Sequence, residues 1–269
     1  MRRLSAALLL LLLARPVLAQ RTGDQAKITL GITGGLVTGG ALWSVNGQPF
    51  TPPGAFVADT LDLARSLSTS FTFGLTTSYY PGNHLGFTGE IALLGLGSKT
   101  SCRITATAGS DSTRDVCNSL GQSNTAATSV GVSVGAAYRI ASRQDISPFV
   151  SARVGALISE ESTVDLRGYF LSTDQGTLNT QQITVKVFDD PNKNRIDIYG
   201  QVTAGFAINA GHGYQIRLEG RDNYVRLPVP LSPSNESTGK FTRGRVGKHL
   251  FSVVLGFDIV LEKKRGRRY

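Results

Sequence analysis

The sequence predicts an all-β chain, closed as an up-and-down antiparallel transmembrane β-barrel of about eight strands. Three observations carry that reading: an N-terminal export leader, eight segments of alternating apolar and polar residues, and connections that are by turns tight and long.

The leader comes first. Arg2 and Arg3 form a positive n-region, Leu4 to Leu13 an apolar h-region, and Val17-Leu18-Ala19 the small-residue site of a signal peptidase. Cleavage is expected before Gln20, so residues 1–19 are read as a signal peptide, 20–262 as the barrel domain and 263–269 as a basic C-terminal tail. The leader is too short for a spanning helix, and no later apolar run reaches the roughly 18 residues one requires. No Cys follows the cleavage site, so no lipoprotein anchor is indicated.

Composition points the same way. Thirty-one glycines lie among β-branched, aromatic, Ser and Thr residues, a mix that favours strands and turns. The net charge of +9 falls to about +6 once Arg2, Arg3 and Arg15 leave with the leader. Lys263, Lys264, Arg265, Arg267 and Arg268 carry most of the remainder, so the body is nearly neutral. A basic tail on an exported chain does not indicate nucleic-acid binding.

The alternation is regular. Ile28, Leu30, Ile32 and Leu36 stand against Lys27, Thr29 and Thr33; Phe71, Phe73, Leu75 and Tyr79 against Thr72, Thr76 and Ser78. The same period runs through Leu85–Leu93 with Glu90, Val130–Tyr138 with Ser133 and Arg139, and Val150–Ala156 with Arg153. It continues through Ile196–Ile208 with Asp197, Tyr214–Leu218 with Arg217, Glu219 and Arg221, and Phe251–Leu261 with Asp258. Eight such segments in succession mean strands with one apolar face.

Three connections are tight: Pro81-Gly82-Asn83, Ala141 to Asp145, and Asn209 to Gly213. Four are long: Thr38–Leu67, Gly97–Thr125, Ser159–Asn194 and Pro228–Lys248. Strict alternation of short and long is the mark of a membrane barrel with short periplasmic turns and long extracellular loops. About twelve residues, tilted near 40°, rise about 30 Å, enough for the roughly 25 Å apolar band. Tyr79, Tyr80, Tyr138, Phe149 and Tyr214 lie beside the tight turns, where an aromatic girdle at the lipid interface is expected.

Pro148 to Gly155, Tyr214 to Tyr224 and the last segment His249 to Leu261 resemble the small outer-membrane β-barrel family of OmpA- and OmpX-like eight-stranded barrels. The resemblance spans nearly all the mature chain and rests on pattern rather than on an active-site motif. It implies residence in the bacterial outer membrane and insertion by the outer-membrane assembly machinery. Family members usually end on an aromatic residue closing the last strand. Here Leu261 closes the alternation and a basic run follows, so either Phe257, Ile259 and Leu261 act as an internal signal or the tail extends the strand.

With lipid outside, the inward set contains Lys27, Glu90, Arg139, Arg153, Asp197, Arg217, Glu219, Arg221 and Asp258. Both signs are present and are expected to pair, since an unpaired charge in a narrow lumen costs several kcal/mol. Eight strands enclose only enough space for side chains, so a filled lumen is favoured over a channel of charged rings. Cys102 and Cys117 share the second long loop and are expected to form a structural disulfide. His84 and His212 fall at tight turns. His249 opens the last segment on the outward phase while Ser252 points inward, so a histidine–serine pair is not suggested.

The third long loop alternates again (Val164, Leu166, Phe170; Ile183, Val185, Val187), which predicts a protruding hairpin continuing the fifth and sixth segments. Ten strands, with an added turn near Asp174–Thr180, is the rival count. Residues Asp59 to Ser68 suggest one or two helical turns. The function class expected is a structural or surface-interaction barrel. Rivals are a narrow pore or carrier, then a lipid-modifying or proteolytic enzyme. No metal or cofactor is expected. The partners expected are outer-membrane lipid and lipopolysaccharide, on a monomer; the basic tail reads first as a solvated, flexible terminus, with electrostatic attachment to the cell wall as the alternative.

Overall fold

The computed structural model describes residues 27–51, 58–106, 111–122, 124–142, 144–159, 163–173, 180–190, 195–235 and 240–262. The expected leader and the basic tail lie outside them. In chain order the elements are β1 (Lys27–Gly39), β2 (Ala41–Phe50), β3 (Asp59–Leu67), β4 (Ser70–Tyr80), β5 (Leu85–Ala106) and α1 (Asp111–Gln122). Then come β6 (Asn124–Arg139), β7 (Ile146–Ser159), β8 (Leu166–Thr173), β9 (Thr180–Phe188), β10 (Arg195–Gly211), β11 (Tyr214–Pro230) and β12 (Arg243–Glu262).

Antiparallel pairing runs β1-β4-β5-β6-β7-β10-β11-β12 and returns to β1, a closed ring of eight strands. The seam between β12 and β1 is continuous from Lys27↔Glu262 to Gly39↔Leu250. Closure leaves no sheet edge along it. Each ring strand turns its apolar residues outward: Ile32, Leu75, Val202 and Leu255 are each about 60 % exposed. A continuous apolar girdle of that extent is a surface for lipid rather than water.

The tight turns close the periplasmic end. At the last of them Gly211, His212 and Gly213 all have positive φ (80°, 53° and 82°), and the Asn209 side chain accepts the Gly211 N–H at 3.0 Å. Two flanking glycines remove the Cβ cost of this left-handed run.

The other end is built differently. Six ring strands each point one apolar side chain inward at the same level: Val37, Leu94, Leu157, Tyr199, Val225 and Leu250. Above this layer the strands leave lipid, and the apolar face moves from outside to inside. On β11, Ile216 and Leu218 face outward, whereas Val225, Leu227 and Val229 are buried. The extramembrane part thus has a core like a soluble domain, filled from β2, β3, α1 and the β8–β9 hairpin by Leu42, Leu61, Leu63, Val116, Leu120 and Phe188 among others.

Three expectations are corrected here. Asp59–Leu67 is a strand, not helical turns: β3 pairs with upper β5 from Thr60↔Ala106 to Leu67↔Ser98, and Leu61, Leu63 and Leu67 are fully buried. Its odd-numbered residues all face the cap, so its period is two. The hairpin β8–β9 does not continue β7 and β10; it forms its own two-stranded sheet and packs on α1. Its apolar face is thereby buried in the cap, and the ring has eight strands rather than ten. Tyr80 and Phe149 point into the lumen, while Tyr79 and Tyr214 face outward.

A candidate functional site: the lumen and its cap

Strand geometry places the lumen charges. Arg217, Glu219 and Arg221 are alternate residues of β11, so all three side chains leave its inner face, with the acid between two bases. Glu90 comes from β5, on the opposite side of the ring, Arg153 from β7 and Asp258 from β12. Glu90 Oε2 lies 2.6 Å from Arg153 Nη1, and Glu90 Oε1 lies 2.8 Å from Arg221 Nη1. Arg221 Nη2 reaches Glu219 Oε2 at 2.6 Å, Glu219 Oε1 takes Arg217 Nη1 at 2.7 Å, and Arg217 Nε meets Asp258 Oδ2 at 2.7 Å. Three cations and three anions make the network neutral. Each charge has an opposite charge in contact, as buried ions require.

Hydroxyls and amides extend it. Arg217 donates to Thr76 Oγ1 at 2.6 Å, and Gln215 to Asp258 at 3.3 Å. Above, Gln201 donates to Asn223 at 2.6 Å, and Asn223 donates to Ser252 Oγ at 3.0 Å. Gly31 makes room on the inner face: a methyl group there would fall 1.8 Å from Asp258 Oδ1. Below the network the Arg139 guanidinium stacks 4.0 Å from the centre of the Tyr80 ring, with Phe149 beside the same void. That void, between Tyr80 and Asp258, measures about 10 Å³, room for about one water.

The nine residues singled out from the sequence therefore divide. Six form one network. Arg139 sits beneath it on Tyr80, and Lys27 is half-buried at the foot of β1, in register with Tyr80. Asp197 is at the far end, 3.1 Å from Arg245. Thr76, Gln201, Gln215 and Asn223 were not singled out; their place in the inward phase was the signal available.

The cap is fastened by side chains as well as by its core. A disulfide joins Cys102 on β5 to Cys117 on α1, and the Thr113 hydroxyl bonds the Asp59 carboxylate. Buried Arg65 donates to Ser98 Oγ at 2.9 Å and to the Thr163 and Asp165 carbonyls at 3.0 and 2.9 Å. Trp43 donates to the Thr163 carbonyl at 3.2 Å, and Gln48 and Ser234 exchange hydrogen bonds at 2.7 Å. His249 contacts Asp222 at 2.9 Å on the outer face, between Tyr224 and Phe251. Ser252 is buried on the opposite face, so the strand holds histidine and hydroxyl apart.

A closed ring with an apolar exterior, a charge-paired interior and long connections at one end is the architecture of an outer-membrane β-barrel. No protein-family model matches the chain, and no curated protein does. Among solved structures, the chain is similar to the outer membrane protein OprG from Pseudomonas aeruginosa at 8 % identity and a TM-score of 0.44, over 89 % of this chain and 98 % of OprG. Neisserial surface protein A has 8 % identity and a TM-score of 0.40 over 87 % of this chain and 96 % of its own. Ail, the attachment invasion locus protein of Yersinia pestis, has 12 % identity and a TM-score of 0.34 over 88 % and 99 %.

Proposed function

We propose that the protein is a sealed barrel of the bacterial outer membrane that serves as a rigid mount for its extracellular cap, with a structural or surface-interaction role. The observation that carries this is the double seal. A neutral six-residue ion network with a void of about 10 Å³ beneath it fills the lumen, and an apolar layer closes the network off from the cap. A water-filled path would have to part charges that compensate one another at 2.6–2.8 Å. The reading calls for no catalytic step and no cofactor.

Planar-bilayer recording of the folded chain tests the seal: no discrete channel steps are expected, and sustained conductance overturns it. The surface role is tested on intact cells, by comparing their adhesion to solid surfaces with and without the segment 160–194. Equal adhesion by both forms overturns that role.

A further inference from the structure

At the top of the seam β12 and β1 part. Their pairing stops at Gly39↔Leu250; the chain then bends at Gly40 into β2, which pairs only with β3, while β12 continues upward with β11. On the outer face of this split the registers align one row of residues. Lys99 on β5 pairs with Ser66 on β3, and Ser66 with Ala41 on β2. From the other side of the split Lys248 on β12 donates to the Ala41 carbonyl at 2.6 Å. Two strand spacings, about 10 Å, separate Lys99 from Ala41, so two ammonium groups flank a floor of small residues.

That floor, of Ala41, Ser44, Ala64, Ser66 and Ser101, forms a concavity of about 330 Å³. The carboxylate of Asp62 lies two rows above and is engaged by Arg103 at 3.3 Å and by the Gly47 N–H at 3.0 Å. Just below, the Thr69 hydroxyl donates to Thr38 Oγ1 at 3.3 Å, and beneath them Leu36 and Phe71 begin the exposed apolar girdle. Ala41 lies three residues above Thr38, a rise of about 8 Å along the membrane normal at a strand tilt near 40°. The polar layer of a bilayer reaches roughly 5–8 Å beyond its hydrocarbon on each side, and lysine side chains extend toward it.

We propose that this concavity binds a phosphate of the outer-leaflet glycolipid, held between Lys99 and Lys248. An ammonium group has three donors, and Lys248 spends one on Ala41. Ser44, Ser66 and Ser101 line the same hollow and suit a phosphorylated sugar, although the Ser101 hydroxyl already donates to the Ala64 carbonyl at 3.3 Å. The inference rests on the outer-membrane reading but not on the sealed lumen.

The test titrates the full folded chain, in zwitterionic detergent, with bis-phosphorylated lipid A and with lipid A stripped of phosphate, read by native mass spectrometry. Wild type should bind the phosphorylated form more tightly, and high salt should weaken it. K99Q/K248Q should lose about 30-fold in affinity, on the order of a factor of five per lysine, while keeping its heat-modifiable gel migration. Arg226→Gln, an exposed cation elsewhere on the outer face, should bind as wild type does. Equal binding by K99Q/K248Q overturns the site, as does indifference to the lipid phosphates. Displacement of lipid A by inorganic phosphate at similar concentration would make free phosphate the ligand and overturn the lipid assignment. A chain that conducts yet binds lipid A through these lysines would remove the sealed-lumen reading and leave this one standing.

Discussion

Replacing Arg221 with Met should destabilise the barrel far more than replacing Arg221 and Glu219 together. Arg221 supplies contacts at 2.8 Å to Glu90 and 2.6 Å to Glu219. Its removal leaves the buried network with a net charge of −1, and breaking a buried ion pair from one side costs about 3–5 kcal/mol. The single variant Glu219→Leu leaves +1 and should cost a similar amount. In R221M/E219L the survivors form two closed pairs, Glu90 with Arg153 at 2.6 Å and Arg217 with Asp258 at 2.7 Å. Apolar residues of similar volume replacing a buried pair are often neutral or stabilising, so the double variant should lie within about 2 kcal/mol of wild type. The assay is urea unfolding in lipid vesicles followed by far-ultraviolet circular dichroism. With a slope of about 2–3 kcal/mol/M, each single variant should shift the midpoint by about 1–2.5 M. If the double variant is as unstable as the singles, or worse, charge compensation is not what matters in this lumen and the argument fails.

Other outcomes follow from the cap, the girdle and the tail. Replacing Cys102 and Cys117 with Ser should weaken the cap by about 3 kcal/mol, the value for a loop of this length; Trp43 fluorescence should report earlier cap unfolding while the barrel keeps its gel migration. Leu255→Arg, outward in the girdle, should cost about 2–4 kcal/mol or block insertion, and unchanged folding yield would contradict lipid contact there. In a background lacking both native cysteines, Asn46→Cys and Asn118→Cys should label on intact cells with an impermeant maleimide. His212→Cys should not, and the reverse pattern inverts the barrel. Deletion after Glu262 should leave the barrel folded but weaken salt-sensitive binding to isolated cell wall; failure to assemble would assign the tail to insertion.

The ring was legible because lipid and lumen impose opposite demands on alternate residues, and Phe251 to Leu261 shows that demand plainly. The cap was less legible, since its strands reverse the phase. Tyr214 to Leu218 is apolar at even positions and Val225 to Val229 at odd ones, a shift that marks where β11 leaves lipid. β2 was hidden by the positive-φ Gly47 and a register shift between Val45 and Gln48, which break its alternation. β3 was hidden because Leu61, Leu63 and Leu67 fit a helical spacing nearly as well as a strand. In the lumen the charged residues could be named, but their partners could not. Pairing across a barrel depends on which strands face each other, and Glu90 and Arg221 are 131 positions apart. Tyr80 and Phe149 look like interface aromatics by sequence; only the parity of their own strands turns them inward.

The Glu90–Arg221 contact also bears on the order in which the barrel is made. Glu90 and Arg153 belong to the first five strands of the ring, and Arg217, Glu219, Arg221 and Asp258 to the last two. Each group is neutral by itself, with every charge paired inside its own group. Only the reach of Arg221 to Glu90 joins the two groups. Its two ends lie on opposite sides of the ring, so they face each other across the lumen once β12 is paired with β1. The bridge therefore works as a latch on the finished circle, and a chain closed in a shifted register would leave it open.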